Sequence, residues 1–469
     1  RRGQRLSVRA RIAAAILFIA VALASATPIR SWDTPWVIAS GEAIVREGGL
    51  PARDPFSYTA PGPWMNHEWL AELTWAGTYR AGGWIGVGLV EGALVAGAVV
   101  VLLFARRRRD ERDGAITLGL ALPLAALVAA GMRETAEPTA QLFSNVLFAA
   151  TLRLFCDAEA ARPGSMPTRR LALAVIGIQV LWTQLHGGNP TGVALAGAFF
   201  LAAPSLPRFG LLAAQALATC AGPYGLRVHT HFFAHREAFA AVREFQPLHV
   251  ALAAGSGVHF AFVGLVAVAA IALAVRARSG ERVRFEAAAL SGLLVVTLFH
   301  VRLSTETALV ALVAIAPLAA RVPLRPLLSS AFAIAVFAAC LALSARPPGF
   351  GLDAARFPVA AVEYLKRERP PGPMWNGYNF GGYLLFAYPE ERVFIDGRAF
   401  IVYTDEQVRE LVALYDDPSR FDALQARWGF RLAVMQRRGR GAALLDRLER
   451  GGAWRVSYED DVATVLVRP

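Results

Sequence analysis

Residues 1–36 read RRGQRLSVRARIAAAILFIAVALASATPIRSWDTPW, and the order of residue types in that stretch decides the fold. Arg1, Arg2, Arg5, Arg9 and Arg11 come first. An apolar run follows to about residue 30, and then Asp33 stands between Trp32 and Trp36. Cations on one flank and an aromatic, polar segment on the other mark a helix that crosses a membrane. The basic flank is also that of a signal peptide. This run is longer than a typical signal core and further runs follow it, so it reads as a retained first helix.

Outward from that stretch the pattern repeats. A span needs roughly 20 apolar residues, within about 17–25. Ten further runs approach that length, at approximately 83–105, 114–132, 140–156, 171–187, 190–206, 208–223, 257–276, 285–301, 305–320 and 326–345. The expectation is an α-helical polytopic membrane protein with about eleven transmembrane helices. The whole chain agrees: 469 residues are 55% hydrophobic and 18% charged, against about 25% charged for a soluble chain. That composition disfavours a disordered chain, a coiled coil and an ordinary cytosolic enzyme. Cys156, Cys220 and Cys340 lie within apolar runs, which argues against a disulfide scaffold.

A net charge of +12 raises the question of nucleic acid. The positions of the arginines answer it. Alternate connections hold the N-terminal arginines, then Arg106 to Arg109 with Arg112, then Arg162, Arg169 and Arg170, then Arg208, then Arg276, Arg278, Arg282 and Arg284, then Arg321 and Arg325. The opposite short connections hold only Arg133 and Arg302. By the positive-inside rule the first set is cytoplasmic, which puts the N-terminus inside and the C-terminus outside. The basic balance is therefore largely topological, and no nucleic-acid partner is expected.

Three outer segments are too long for turns. Residues 31–82 form a first outer loop. Residues 224–256 mix Leu226, Phe232, Phe233, Phe239 and Val242 with His, Arg and Glu, the pattern of an amphipathic segment lying at the interface. Residues 346–469 lose apolar character and gain charge. Arg392–Ile395 and Leu432–Met435 read as strands, Asp405–Tyr415 and Ala442–Glu449 as amphipathic helices, and Trp454–Val456 with Ala463–Val467 as a closing hairpin. The organisation expected is a membrane domain over 1–345 and a small α/β soluble domain over 346–469.

The first outer loop carries the residues that need a chemical explanation. Asp33, Asp54, His67 and Glu68 stand among Trp32, Trp36, Trp64 and Trp69. Carboxylates beside an imidazole suit general-base work or a divalent ion. The tryptophans suit an interfacial belt or a surface for stacking sugars. Equally, Asp33 is placed to cap a helix.

The pattern of Asp33, Trp36, Gly41, Ile44, Gly48, Pro51, Asp54-Pro55-Phe56-Ser57, Trp64, His67-Glu68-Trp69-Leu70 and Gly82-Gly83 resembles a group of bacterial multispanning proteins placed near the GT-C glycosyltransferases. Downstream, Gln141-Leu142-Phe143-Ser144, Leu185-His186-Gly187-Gly188, Gly222-Pro223-Tyr224-Gly225, Asn376-Gly377-Tyr378-Asn379-Phe380-Gly381-Gly382-Tyr383-Leu384 and Phe394-Ile395-Asp396-Gly397-Arg398 extend the resemblance over most of the chain, in order. It implies a GT-C-like fold and a polyprenyl-phosphate-linked sugar as donor. It also implies an essential acid just after the first helix, where Asp33 is the matching position, as base or metal ligand, with Asp54 a second acid. His67 and Glu68 complete the site or brace the loop. Two departures stand out. Asp33 is followed by Thr34-Pro35 where the family often has paired acids, and Glu137-Pro138-Thr139-Ala140 precedes the Gln-Leu-Phe-Ser stretch where Arg-Pro is common.

Other polar groups fall near membrane depth on the outer side, where ionisable residues line cavities or pair. Arg133 lies with Glu134 and Glu137, His186 with Asn189, and Arg302 with His300 and Glu306. Arg133 or Arg302 suits the phosphate of a lipid-linked donor, or each pairs with its neighbouring glutamate. His186 and Trp36 join them as candidate substrate contacts. His229, His231 and His235 read as an uncoordinated interfacial set, because no third well-spaced ligand supports zinc. In the tail, Gly381-Gly382-Tyr383 and Asp396-Gly397-Arg398 read as turns, with Asp396 and Arg398 paired or reaching the membrane domain.

Two functions of different classes follow. One is a glycosyltransferase on the outer face of the bacterial inner membrane, moving a sugar from a polyprenyl phosphate to an acceptor, with a divalent metal ion as the cofactor such a site would take. The other is a non-catalytic membrane subunit that uses the scaffold to bind protein partners, with 346–469 as docking module. A transporter would show inverted repeats and broken spans in two halves, which the sequence does not display.

Overall fold

The computed structural model describes residues 15, 18, 19, 21–23, 25–104, 121–234, 245–321, 326–342 and 348–469. Most of the first apolar run lies outside the described residues. So do Arg1, Arg2, Arg5, Arg9, Arg11, Arg106 to Arg109, Arg112, Arg325, His235, Phe239, Val242 and the side chain of Glu134.

The remaining apolar runs coincide with helices. They are α2 (Trp69–Phe104), α3 (Ala121–Thr135), α4 (Gln141–Ala161), α5 (Arg169–Leu185), α6 (Pro190–Ala202), α7 (Leu206–Ala218), α10 (Gly257–Arg278), α11 (Arg284–Phe299), α12 (Ser304–Ala319) and α13 (Pro326–Ala342). Three described helices are long and apolar enough to cross a membrane: Trp69–Leu102, Gly257–Arg278 and Val301–Ala319. α6 and α7 have 13 residues each, about 20 Å at 1.5 Å per residue, so they are short against a hydrocarbon core of about 30 Å. Ile85, Leu173, Leu201, Leu217, Ile271 and Phe299 are each more than half exposed. Exposed apolar side chains on this scale belong to a surface that faces lipid.

Within the segment 31–82, two stretches are helical and 48–68 between them is not. α1 (Thr34–Glu47) packs along the start of α2. α2 breaks at Gly83, whose φ of 56° and ψ of −151° interrupt the helix where the sequence places the start of a span. Among the described residues of 224–256 are two short helices, α8 (Arg227–Ala234) and α9 (Leu248–Ala253).

The bundle has two ends. At one, here the upper end, lie residues 31–68, the 186–189 connection and the 300–303 turn. The other, lower end is held by buried arginines. Arg208 stacks on the Phe199 ring at 3.8 Å and donates to the carbonyls of Phe199 and Ser165 and to Glu159. Arg276 donates to Glu281 at 2.9 Å, Glu286 at 3.2 Å and the Ala314 carbonyl at 3.0 Å. Arginines that the positive-inside pattern identifies as topological signals thus also pin helix ends together, as buried guanidinium groups need paired acceptors.

The tail is a mixed four-stranded sheet with helices. β1 (Met374–Asn376) runs parallel to β2 (Leu432–Gln436), which runs antiparallel to β4 (Ala463–Val467), beside β3 (Arg455–Glu459). The helices are α14 (Val359–Glu368), α15 (Tyr378–Ala387), α16 (Ala399–Val402), α17 (Asp405–Asp416), α18 (Phe421–Trp428) and α19 (Ala442–Arg450). The hairpin, β2, α17 and α19 fall where the sequence predicts them. Arg392–Ile395 does not join the sheet. The Asn376 side chain donates to the Ile395 carbonyl at 2.7 Å and accepts from the Phe394 N–H at 2.7 Å, and Val393 bridges Ser57 of the first loop. Gly381-Gly382 is not a turn but the middle of α15. The glycines let that helix approach its neighbours, since a Cβ on Gly382 would lie 2.5 Å from the Trp32 carbonyl oxygen. One continuous apolar core runs from the bundle through Trp36, Phe56 and Trp64 into Trp375, Phe380 and Phe394 of the tail.

Candidate active site at the upper end

Two polar clusters flank one cavity. The first joins the early loop to the tail. Asp33 occupies the N-cap position of α1, yet its side chain makes no capping bond. Oδ1 accepts instead from Trp36 Nε1 at 2.8 Å, so the capping explanation of this acid does not describe its side chain. The Asp33 N–H is held by Ser31 Oγ, which in turn donates to Glu137 at 2.8 Å. Gly397 presses against this acid from the tail. A Cβ there would lie 2.5 Å from Asp33 Oδ1 and 3.4 Å from Trp36 Nε1. Burial, and then the Asp33 and Asp396 carboxylates, push the Tyr378 phenol above its ordinary value.

Asp54 is engaged in an ion pair. Arg398 Nη1 and Nη2 donate to its two oxygens at 2.5 and 3.2 Å, and Asp54 Oδ2 also accepts the Ser57 N–H at 2.8 Å. The same guanidinium donates through Nε and Nη2 to Asp396 at 2.8 and 2.7 Å. Arg398 lies 5.1 Å from the Phe56 ring and 5.4 Å from the Trp64 ring, both within cation–π range. Tyr403 donates to Asp396 at 2.7 Å. Burial alone would raise the Asp396 carboxyl, but Arg398 holds it below its usual value; the two acids hold Arg398 well above its own. Of the alternatives for Asp396 and Arg398, both occur at once: they pair, and they reach the first loop.

The second cluster gathers residues from four connections. Glu68 Oε1 lies 3.5 Å from both His67 Nε2 and His186 Nε2. Trp182 Nε1 donates to Ser144 Oγ at 2.6 Å, and Ser144 stands 2.6 Å from His186 Nδ1. The Gly188 N–H donates to the same nitrogen at 3.2 Å. A backbone N–H can only donate, so Nδ1 accepts from Gly188. Arg302 Nη2 is 3.3 Å from that Nε2 and its guanidinium faces the Phe245 ring at 5.2 Å. Burial, then Arg302 and His67, hold His186 well below its ordinary pKa, so it is neutral. Gln141 donates to Glu306 at 2.9 Å. Arg133 is fully buried. His229 Nε2 lies 3.0 Å from the Thr219 hydroxyl.

Between the clusters is a cavity lined by Trp36, Trp64, Asn66, His67, Glu68, Glu72 and Ile401. Trp36 and Trp64 are buried in its wall, and Trp32 is packed on Phe357 of the tail at 5.1 Å. An interfacial belt is therefore not the role of these three rings. Asn66 is 2% exposed. Its N–H donates to Tyr224 Oη and its Nδ2 donates to Glu72. Its Oδ1 has no hydrogen-bond partner among the described residues, and a buried acceptor left open calls for a donor from elsewhere.

Among the described residues no three or more His, Cys, Asp or Glu side chains are arranged to hold a metal ion. The Arg302 guanidinium beside His186 and the Arg398 guanidinium between Asp54 and Asp396 stand where cations would be drawn. Of the expected residues, Trp36, His67 and Glu68 line this cavity, His186 and then Arg302 follow behind Glu68, Asp33 is bonded to Trp36, and Asp54 is paired with the tail. Asn66, Ser144, Trp182, Ile401 and Tyr403 were not singled out from sequence. Asn66 and Ser144 lie within or beside the recurring motifs, whereas Ile401 and Tyr403 carry no local signal.

The Gly397 contact makes a direct prediction. Gly397→Ala places a methyl group into the space of Asp33. Overpacking of that kind costs about 1–3 kcal/mol. Thermal unfolding of the purified protein should show the loss, and an unchanged midpoint would mean the two loops are not in contact.

No family model matches the chain, and no curated protein matches it. Solved structures do. A crystal structure of ArnT from Cupriavidus metallidurans bound to undecaprenyl phosphate is similar over 98% of this chain and 97% of that one, with a TM-score of 0.56 and 15% identity. The same protein in the apo state gives a TM-score of 0.50 at 15% identity over the same shares. The chain therefore has the GT-C-like fold that the resemblance implies.

Proposed function

We propose that this chain is a glycosyltransferase of the bacterial inner membrane that takes a sugar from a polyprenyl phosphate and transfers it on the outer face, with the upper end outside and the lower end cytoplasmic. The observation that carries the reading is convergence. Residues far apart in sequence meet at the upper end: Trp36, Trp64, His67, Glu68 and Glu72 line one cavity, and behind Glu68 stand the His186 imidazole and the Arg302 guanidinium. The fold is one on which a solved structure holds undecaprenyl phosphate.

In this reading about eleven helices span the membrane. Arg302 holds the donor phosphate, with His186 beside it, because a guanidinium offers paired donors to phosphate oxygens. Arg133 is the second candidate for that charge. Asp33 is the base. It stands at the N-cap of α1, and Trp36, which lines the cavity, donates to it. Its carboxylate takes the proton of the acceptor hydroxyl as the hydroxyl oxygen attacks the anomeric carbon, and the polyprenyl phosphate leaves. Glu68 and His67 orient the donor-side groups. Asp54 acts at one remove, by fixing the loop to the tail.

A non-catalytic subunit with the tail as docking module fits less well, because the face that tail residues 393–398 present is already used by the chain's own first loop. The test is binding followed by turnover. The purified protein should bind undecaprenyl phosphate at one per chain, read by native mass spectrometry, and Arg302→Ala should weaken that binding at least about tenfold, a loss of about 1.4 kcal/mol. Copurification of stoichiometric partner proteins with no lipid bound would support the subunit instead.

A further inference from the structure

We propose that His67, Glu68 and His186 form a proton relay between the surface of the upper end and the phosphate held at Arg302, and that its task is to protonate the leaving polyprenyl phosphate for release. The proposal rests on the transferase reading and adds to it how the lipid product departs.

The carrying observation is a line of ionisable groups. His67 Nε2 and His186 Nε2 each lie 3.5 Å from the same oxygen of Glu68. His186 Nε2 lies 3.3 Å from Arg302 Nη2. One carboxylate thus stands between two imidazoles, and the second imidazole reaches the guanidinium. The line runs from wet to dry: the His67 and Glu68 side chains are 11% and 16% exposed, and that of His186 is 5%. At its outer end His67 is shared by two cavities. One is the cavity it lines with Glu68 and Glu72. The other it lines with Asn189, Thr219, Pro223 and Tyr224, and Pro223 is exposed. Each has room for about one water molecule. The groups facing the line from other positions are Glu72, beside Glu68 in the first cavity, and Tyr224, beside His67 in the second.

Transfer of the sugar leaves the lipid phosphate with a second negative charge. Beside a guanidinium in a site of low dielectric that charge is held tightly. One added proton returns the phosphate to a monoanion and loosens the hold. In the relay His67 takes a proton from water of the second cavity on Nδ1, where the Met65 carbonyl stands 3.4 Å away, and yields the one on Nε2 to Glu68. Glu68 passes a proton to His186, whose Nε2 faces both Glu68 and Arg302, and it ends on a phosphate oxygen. Each member passes on as many protons as it receives. Over a turnover the proton that Asp33 takes from the acceptor and returns to solvent balances the one taken up here.

The test follows exchange of radiolabelled undecaprenyl phosphate between the full-length protein and lipid nanodiscs. A relay speeds proton movement in both directions alike, so its loss slows binding and release together and leaves the affinity where it was. In His67→Ala both rates should fall at least about tenfold, since a positioned proton-transfer group is worth about 10²–10⁴-fold. The dissociation constant should stay within about threefold of the parent. Added imidazole should restore both rates. Pyrazole, a ring of the same shape and a far weaker base, should not. A residue that only braces the loop would change the affinity, or would be replaced equally well by either ring. If His67→Ala does not fold, His67→Gln carries the same comparison of rates against affinity. Exchange at the parent's rates, a fall in affinity beyond about threefold, or equal rescue by pyrazole overturns the relay and leaves the transferase reading standing. Failure of the parent to bind undecaprenyl phosphate overturns both.

Discussion

Asp33→Asn is expected to reduce sugar transfer by about 10²–10⁴-fold, the contribution of a general base, equivalent to about 3–5 kcal/mol of barrier. The substitution keeps the hydrogen bond that joins this position to Trp36. Asparagine keeps Oδ1, so the 2.8 Å bond from Trp36 Nε1 has its acceptor. Asp33 makes no side-chain cap to α1, so removing its charge does not unmake a helix end. Binding of undecaprenyl phosphate, assigned here to Arg302 and His186, should be unchanged. The expected signature is therefore a fall in kcat at constant lipid affinity, which is the mark of an interaction made only in the transition state. Glu68→Gln should behave differently. Its oxygen faces two imidazoles at 3.5 Å, so its loss disturbs the donor side and raises KM along with lowering kcat. Transfer by Asp33→Asn within about threefold of the parent would remove Asp33 from the base role.

Much of the bundle was legible in the sequence because apolar runs report burial from water one residue at a time. The described part of each of the ten runs after residue 30 holds a helix, and the Gly82-Gly83 pair marks the break at Gly83. The count of true spans is less legible. Two helices of 13 residues satisfy composition but not length. The site was legible as types and not as pairings. Asp33, His67, Glu68, His186 and Arg302 are conspicuous as ionisable groups beside apolar runs, where each has an energetic reason to exist. What no local pattern could give is the partner of Asp54. A carboxylate after a loop arginine looks the same whether it meets substrate or a guanidinium 344 positions later. The Arg392–Ile395 strand failed for a related reason. Its β-branched and aromatic residues promise a strand, but a side-chain amide, Asn376, and the first loop take its hydrogen bonds, so it stays outside the sheet. Pairings between distant segments are tertiary facts, and they decide which acids are chemical and which are structural.

Arg398→Ala should be the most destabilising single substitution in the tail, and its pH dependence should run opposite to that of the parent. In the parent, Arg398 neutralises two carboxylates with side-chain exposures of 1% or less. Removing one partner of a buried ion pair costs about 3–5 kcal/mol because the remaining charge is left uncompensated. In a protein of 469 residues that corresponds to a fall in unfolding midpoint of roughly 3–5 °C. The sign with pH follows from linkage. The folded parent holds Asp396 below its unfolded value, so this contribution is complete above the unfolded value of about 3.9 and is lost as pH falls through the lower folded value. Between pH 7 and 5 the parent's clamp is therefore constant. In Arg398→Ala the Asp396 carboxyl is buried without its cation, and burial raises its pKa above the unfolded value. The folded variant then binds more protons than the unfolded chain, and its stability rises as pH falls. The gap between the two proteins should narrow from pH 7 to pH 5, measured by thermal unfolding in detergent at constant ionic strength. Arg398→Lys should lie between them at pH 7, since it retains a charge without the paired donors. Equal midpoints for parent and Arg398→Ala at pH 7, or a gap that does not change with pH, would show that the tail and the first loop are not joined through this guanidinium.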